Sequence, residues 1–188
     1  MWYRVPVDAA IVMGHTRMAT QGSALRLEND HPFRGRAGNT DISLAHNGVL
    51  YNDKFLRREH QLPNTRVETD SYVAVQLLEK YDKVDFSSLR FMAEALEGTF
   101  TITVMAEDAL YFVKGNNPMC IYHYPAVKLY VYASTEEILK KAMLQSQLRL
   151  GKPEKISLFS GELLRIDTEG KITRSHFDDS HLYPYGRK

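Results

Sequence analysis

The sequence predicts an α+β fold built around an antiparallel β-sheet. Two observations carry this prediction. Segments with the apolar spacing of strands follow one another in the second half of the chain with only short turns between them. Segments with helical apolar spacing are few and do not alternate with the strands, as they would in a parallel α/β fold. The predicted order is strands, two helices, four strands, a helix and a hairpin.

The first part of the chain contains two predicted strands around a long irregular segment. The apolar run 9–13, closed by Gly14, is typical of a short buried strand. Residues 20–40 are rich in glycine and turn residues, which predicts a long functional loop. A second strand is expected over 42–45, and the Asn-Gly pair within 46–48 predicts a sharp turn at its end.

Three helices are predicted from apolar stripes and capping residues. A capping-box pattern at 65–68 opens a helix that should run to about Lys80. A second helix spans about 88–96, with Gly98 as its stop signal. The third begins after a cap at Ser134 or Thr135 and ends by about residue 149.

The remaining elements are strands with short connections, which predicts antiparallel pairing. After the last hairpin, residues 177–188 are expected to form a polar tail. The predicted strands are 100–104, 110–113, 119–122 and 128–133, followed by a hairpin of 161–166 and 171–176.

Length and composition restrict the class of protein. A chain of 188 residues is expected to form a single domain over 1–188. A formal net charge of +1 gives no electrostatic reason to expect a nucleic acid or an anionic membrane as partner. No apolar run has the length of a membrane helix or a signal peptide, and the lone Cys120 cannot form an internal disulfide. These features predict a cytoplasmic protein, and no metal site or cofactor is expected.

Polar groups of complementary charge lie at the ends of predicted elements. The planar guanidinium of Arg17 suits a carboxylate, and Asp70 near a helix start suits an ammonium group, although it is equally a common first-turn acid. One cation and one anion fit the two charges of a free amino acid. Asn47 and Gly48 offer a side-chain amide and a backbone N–H, which are the donors that a tetrahedral oxyanion needs.

Four motifs in the first half of the chain occur in a distinctive order and spacing. They are Gly14-His15-Thr16-Arg17-Met18-Ala19-Thr20-Gln21-Gly22, Asn29-Asp30-His31-Pro32-Phe33, Ala45-His46-Asn47-Gly48-Val49-Leu50 and Glu68-Thr69-Asp70. The set closely resembles the glutaminase domain of class II glutamine amidotransferases, most of all that of glucosamine-6-phosphate synthase and the glutamine phosphoribosylpyrophosphate amidotransferases. The resemblance extends over most of the chain to about residue 166.

The resemblance implies an N-terminal-nucleophile hydrolase, a four-layer αββα sandwich that hydrolyses L-glutamine to glutamate and ammonia without a cofactor. By carry-over, Arg17 binds the substrate carboxylate, Thr20 adds a hydrogen bond in the loop that closes over glutamine, and Asp70 binds the ammonium group. Asn47 and Gly48 form the oxyanion hole.

The chain departs from the family pattern at three places. Met18 and Gln21 stand where the family often has an aromatic residue and a histidine. The family nucleophile is a cysteine at the mature N-terminus with its α-amine as base, whereas this sequence starts Met1-Trp2. The 188 residues are therefore expected to be an incomplete domain that lacks its first strands and is inactive until a segment with an N-terminal cysteine completes it.

Two other functions stay open at the level of sequence. One is a catalytically silent module that binds glutamine or another protein through the same residues. The other is a thiol hydrolase that uses Cys120 with a histidine, which the apolar surroundings of that cysteine make the weaker alternative. The acceptor of the ammonia is not specified, and it would lie on an acceptor domain or on a completing polypeptide. His15 and His46 are expected to be structural, hydrogen-bonding histidines.

Overall fold

The protein has a mixed α/β fold in which two antiparallel sheets lie between layers of helices. A computed structural model describes residues 5–6, 8–16, 21–23 and 25–182. Helices cover one face of a six-stranded sheet, the other face packs on a three-stranded sheet, and a fourth helix covers the far side of that sheet. This is the αββα layering expected from the resemblance.

The larger sheet pairs strands that are near and far in sequence. Neighbours along the sheet are antiparallel, in the order β1-β2-β3-β4-β8-β9. Its strands are β1 (Phe33–Ala37), β2 (Thr40–Leu50), β3 (Gly98–Ala106), β4 (Ala109–Lys114), β8 (Glu162–Asp167) and β9 (Ile172–His176).

The smaller sheet has the order β6-β5-β7. Its strands are β5 (Cys120–Tyr124), β6 (Leu129–Ala133) and β7 (Glu154–Ile156), and the helices of the fold are α1 (Asp53–Glu59), α2 (Tyr72–Tyr81), α3 (Phe86–Ala95) and α4 (Glu136–Ser146). Among the described residues, no helix has the length and apolar character needed to cross a membrane.

Side-chain alternation divides the six-stranded sheet into two different faces. In β2 and β3 the even-numbered residues, such as Leu44, Ile102 and Val104, are buried against α2 and α3. The odd-numbered ones lie on the opposite face, where Met105 of β3 packs against the cluster that contains Leu110 of β4 and Ile121 of β5. The dry core therefore lies on the helical side of this sheet.

Several predicted elements are confirmed with boundaries shifted by a few residues. They are α3, α4, the β3–β4 pair, the strands β5 and β6, and the β8–β9 hairpin. The signals for the two helices are local: Asp85 and Ser88 form a reciprocal capping box at α3, and Thr135 accepts a hydrogen bond from Ile138 N at α4.

The prediction for the first part of the chain is largely wrong. Residues 9–13 form no strand, and Val12 is 55% exposed, because no described segment pairs with this apolar run. The loop expected over 20–40 contains β1. The strand expected over 42–45 continues to Leu50, since β3 pairs with it along its whole length.

The helix expected from Thr65 begins only at Tyr72. The reason is that the Glu68 carboxylate accepts hydrogen bonds from Ser23 N and the Asn29 amide instead of closing a capping box with Thr65. The sequence also gave no signal for α1 and β7. Phe177 and Leu182, which fall in the segment predicted as a polar tail, are buried in the core.

Candidate functional site

Asn47 and Gly48 lie inside β2 and not in the turn that the Asn-Gly pair predicted. Gly48 has φ +146°, a backbone conformation that side chains rarely adopt. A Cβ atom at this position would lie 1.8 Å from the Thr99 carbonyl oxygen of β3. The strand can therefore stay paired through this point only with glycine at position 48.

The end of β2 projects beyond its neighbour β1. The pairing of β1 stops at Phe33 opposite Leu44, so residues 45–50 are flanked by β3 on one side only. On this stretch Leu50 N donates to Asp70 Oδ2 over 2.5 Å, and Val49 N donates to the Thr99 hydroxyl. The Asp70 carboxylate thus accepts a hydrogen bond from the backbone N–H of Leu50 at the end of β2.

Asp70 lies at the start of α2 and is almost completely buried, with 3% of its surface exposed. Besides accepting from Leu50 N, its carboxylate lies 3.3 Å from the Ser71 hydroxyl oxygen. Each carboxylate oxygen can accept more than one hydrogen bond, so these two contacts leave acceptor capacity. Asp70 is therefore fixed next to the residues that follow Asn47 and Gly48.

His46 connects the two parts of this arrangement. Its Nδ1 lies 2.7 Å from the Ser71 hydroxyl, and its Nε2 lies 3.2 Å from the Thr99 carbonyl oxygen. Burial lowers the pKa of His46, against the opposing effects of the Thr99 carbonyl and the Asp70 charge. The ring is thus a hydrogen-bonding histidine, as expected, that ties β2 to β3 and to the start of α2.

A second network anchors the segment that contains Glu68 to the loop ahead of β1. Asn29 is fully buried, and its amide donates to the Ser23 carbonyl and to Glu68 Oε2, each at 3.0 Å. In return Glu68 N donates to Asn29 Oδ1, and Arg26 forms an ion pair with Glu68 at 2.7 Å. The hydrogen bonds from Ser23 N and Asn29 lower the pKa of Glu68.

Arg17 and Thr20, the other two predicted site residues, lie outside the described residues. The grip of Arg17 and Asp70 on the two charges of one amino acid therefore stays a prediction. Residues 21–23 follow them directly in the chain. The hydrogen bond from Ser23 N to the Glu68 carboxylate holds this part of the chain against a residue that precedes Asp70 by two positions.

A cavity of about 1000 Å³ lies between the two sheets. Asn47 is one of its lining residues, whereas Gly48 and Asp70 are not. On the six-stranded sheet, Ala45, Thr101 and Thr103 surround Asn47, and the opposite wall includes residues 128–134 around β6. Among the described residues, the Asn47 side-chain amide has no hydrogen-bond partner, so both of its polar atoms can serve a ligand.

Cys120 lies on the other side of the smaller sheet. It is 3% exposed and packs with Tyr122 and Leu139 under α4, while Ile121 points to the cavity side. Burial raises the pKa of the Cys120 thiol. The geometry therefore separates this thiol from Asn47 and removes the support for a Cys120-dependent hydrolase.

The asparagine at position 117 is the site neighbour that the sequence did not indicate. Its Nδ2 donates to the Asn47 carbonyl oxygen over 2.7 Å. The only sequence signal is the pair Asn116-Asn117 before Pro118, which by itself predicts a turn.

Comparisons with known proteins assign this fold and its site to a family. Residues 1–113 match the family of class II glutamine amidotransferases. The chain therefore belongs to the class II glutamine amidotransferases.

Curated relatives match over somewhat more than half of the chain. The glutamine–fructose-6-phosphate aminotransferase (isomerizing) of Geobacillus kaustophilus is 30% identical over 122 residues, which are 61% of this chain and 20% of the relative. The amidophosphoribosyltransferase of Archaeoglobus fulgidus is 36% identical over 118 residues, 58% of this chain and 26% of the relative. The chain thus spans about a fifth to a quarter of the length of these relatives.

Among solved structures, the glutamine phosphoribosylpyrophosphate amidotransferase from B. subtilis, complexed with ADP and GMP, resembles the fold with a TM-score of 0.70. The match has 23% sequence identity and covers 87% of this chain and 34% of that chain. This similarity supports the N-terminal-nucleophile hydrolase fold.

Proposed function

We propose that this chain is a glutaminase domain that hydrolyses L-glutamine to glutamate and ammonia when a segment with an N-terminal cysteine completes it. The observation that carries the proposal is the position of Asn47, whose side-chain amide lines the large cavity between the sheets and has no hydrogen-bond partner in the part of the chain that the structure describes. A cavity of this size has room for further polypeptide and for the substrate, and Asn47, one of the two candidate oxyanion donors, lines it.

In the proposed reaction the thiol sulfur attacks the side-chain amide carbon of glutamine, and the α-amine of the same cysteine takes the thiol proton. The carbonyl oxygen becomes an oxyanion, which accepts hydrogen bonds from the Asn47 side-chain amide and Gly48 N–H. Ammonia leaves with the proton from the amine, and water then cleaves the thioester to give glutamate. Because both donors are amide N–H groups, which are very weak acids, they stabilise the oxyanion by hydrogen bonding and keep their protons.

Substrate binding uses the charges at the two ends of glutamine. Asp70 accepts from the ammonium group with the oxygen capacity that Leu50 N and the Ser71 hydroxyl leave, and Arg17 binds the carboxylate. Thr20 contributes a hydrogen bond from the loop that closes over the substrate. The ammonia is consumed on an acceptor domain or a partner chain, as the names of the matched aminotransferase and phosphoribosyltransferase relatives suggest.

The test compares ammonia release from glutamine by two proteins. One is the 188-residue chain, and the other is the same chain extended ahead of Met1 by the cysteine-initiated N-terminal segment of the Archaeoglobus fulgidus amidophosphoribosyltransferase. We expect activity only in the extended form, and Asn47→Ala should reduce kcat by about 100- to 1,000-fold. Asp70→Asn should raise KM for glutamine instead.

Three outcomes contradict parts of the proposal. Equal turnover by the 188-residue chain would overturn the assignment of the nucleophile. Activity of the extended form that survives Asn47→Ala would overturn the oxyanion hole. If the extended form folds and binds glutamine in calorimetry but releases no ammonia, the chain is a silent glutamine-binding module.

A further inference from the structure

The loop between β4 and β5 holds an asparagine against the backbone of the candidate oxyanion hole. We propose that Asn117 is a positioning residue that fixes and polarises the peptide group joining Asn47 to Gly48. The inference rests on the proposed function, because that peptide group supplies one of the two oxyanion donors.

The position of Asn117 is set by three hydrogen bonds. Its Nδ2 donates to the Asn47 carbonyl oxygen over 2.7 Å. Its own N–H donates to the Phe100 carbonyl at 3.3 Å, and its carbonyl accepts from the Thr101 hydroxyl at 2.7 Å. Phe100 and Thr101, two consecutive residues of β3, therefore hold the backbone of Asn117 in place. This fixes the position from which the Asn117 side chain extends to Asn47.

The contact acts on the donor of Gly48 because both groups belong to one peptide unit. The Asn47 carbonyl and the Gly48 N–H lie in one plane and point in opposite directions. A hydrogen bond accepted by the carbonyl prevents this plane from rotating. It also draws electron density from the nitrogen towards the oxygen, which makes the N–H a stronger donor.

The conformation of Gly48 bears on why this contact matters. Gly48 has φ +146° and lacks a side chain that could restrict its torsions. Pairing with β3 holds this stretch of β2 from one side, with Asn47 opposite Thr101 and Gly48 opposite Phe100. Asn117 supplies a further restraint from outside the strand.

The neighbouring Asn116 provides a matched control. Its amide donates to the carbonyls of Gly98 and Leu182, and its Oδ1 accepts from Phe100 N. It has the same side chain and lies in the same loop as Asn117. Its side chain makes three hydrogen bonds, against one for the side chain of Asn117, and none of the three goes to Asn47. A purely structural role for the loop predicts that Asn116→Ala does at least as much damage as Asn117→Ala.

The first arm of the experiment needs no catalytic activity. In the 188-residue chain, labelled with ¹⁵N and ¹³C, we expect Asn117→Ala and Asn117→Asp to move the Asn47 carbonyl carbon and the Gly48 amide resonances upfield. Asn116→Ala should leave both resonances in place while it lowers the melting temperature. The carboxylate of Asn117→Asp keeps the size of the side chain, has no N–H to donate and adds a negative charge beside the Asn47 carbonyl, so the resonances should move further than in Asn117→Ala.

The second arm uses the cysteine-extended form and counts active sites by titrating the N-terminal thiol. We expect Asn117→Ala to lower kcat per titrated thiol by about tenfold, with KM for glutamine changed less than about twofold. Binding of the γ-aldehyde analogue of glutamine, which forms a tetrahedral adduct with the thiol, should weaken by the same factor as kcat. Asn116→Ala should leave both quantities per thiol unchanged.

The proposal is overturned if Asn117→Ala leaves the Asn47 and Gly48 resonances unmoved, or if Asn116→Ala reproduces its loss of kcat per thiol. The two arms also separate this inference from the proposed function. An extended form without any ammonia release refutes the function, while the resonances of the 188-residue chain still decide whether Asn117 controls the peptide.

Discussion

Gly48 occupies the place in β2 where a side chain has no room. The nearest obstacle is backbone, the Thr99 carbonyl, and it cannot move without breaking the pairing of β2 with β3. Along β2, Gly48 lies between His46, whose ring contacts Ser71, and Leu50, whose N–H donates to Asp70. Strand pairing and site geometry therefore depend on the same position.

Gly48→Ala should lower the free energy of unfolding by about 3 kcal/mol or more, because it combines a positive φ with a clash against backbone. Urea unfolding of the 188-residue chain measures this. Gly14→Ala serves as the control, since a Cβ there meets no described atom within 4 Å. A loss in Gly48→Ala no larger than in the control would show that β2 can shift around a methyl group.

His46 should make the stability of the protein depend on pH. Burial lowers its pKa below the ordinary value of 6.5, so between these two values the unfolded chain binds more protons than the folded one. The free energy of unfolding is thus highest above pH 6.5 and falls as the pH drops from there towards the pKa of the folded state. Besides burial, three neighbouring groups affect the pKa of the ring: the Thr99 carbonyl and Asp70 raise it, and His15 lowers it.

The measurement is urea unfolding at pH 7.5 and pH 5.5 for the wild type and for His46→Gln. We expect the variant to be less stable at pH 7.5 and to lose less stability between the two values. An unchanged difference between the two pH values would assign the dependence to other groups.

Among the elements, the segment before α2 does more than connect two helices. Glu68 binds Ser23, Arg26 and Asn29, and Asp70 two residues later binds the end of β2. The chain just after the predicted substrate-binding residues Arg17 and Thr20 is therefore linked to the acid predicted to bind the same substrate. This segment could not serve these contacts if it continued the helix.

Replacing Asn29 tests this link. Asn29→Asp places a carboxylate against that of Glu68 and removes the donor to Ser23, which should cost about 2 kcal/mol at this fully buried position. Adding Glu68→Gln supplies an amide donor for the new carboxylate. The double variant should unfold at a higher urea concentration than the sum of the single effects predicts; strict additivity would mean that the two side chains do not interact.

The sequence predicted those elements whose signals are local. The capping residues Asp85 and Thr135 and the turn between β8 and β9 act within a few residues of the elements they define. The extension of β2 to Leu50 depends on a partner strand some fifty residues away, and α1 has only one strongly buried apolar side chain, Leu56. No local pattern could reveal either.

For the site, the motifs singled out Asn47, Gly48 and Asp70, and their roles stay predictions. The structure joins Asp70 to the end of β2 through the hydrogen bond from Leu50 N, two residues after Gly48. The contribution of Asn117 could not be predicted, since it depends on the crossing of a loop over β3. Contacts between distant segments are what the residue order alone does not determine.

On the scale of the whole molecule, the two faces of the large sheet are packed differently. The helical face is a continuous buried core, while the other face borders the cavity. In the smaller sheet, the residues of β6 are exposed or half-buried. Every residue from 128 to 134 lines the cavity. A strand at the edge of a three-stranded sheet with so little burial should open easily.

Hydrogen exchange followed by mass spectrometry should show this difference in the 188-residue chain. Peptides from β3 and β4 should exchange slowest and peptides from β6 much faster, because only the former are covered on both edges and one dry face. In the cysteine-extended form, protection of β6 should rise. Equal protection of β6 and β3 in the shorter chain would contradict this view of the cavity.

The position of β8 next to β4 also has a consequence for how the chain acquires its structure. Lys114 and Glu162 are paired neighbours, yet the whole smaller sheet and α4 lie between them in the sequence. Closing so long a loop costs chain entropy before any contact compensates for it, and folds of this kind form slowly. During synthesis, one edge of β4 therefore stays unpaired until β8 has been synthesised. In this period a chaperone or a neighbouring nascent chain can bind the exposed edge.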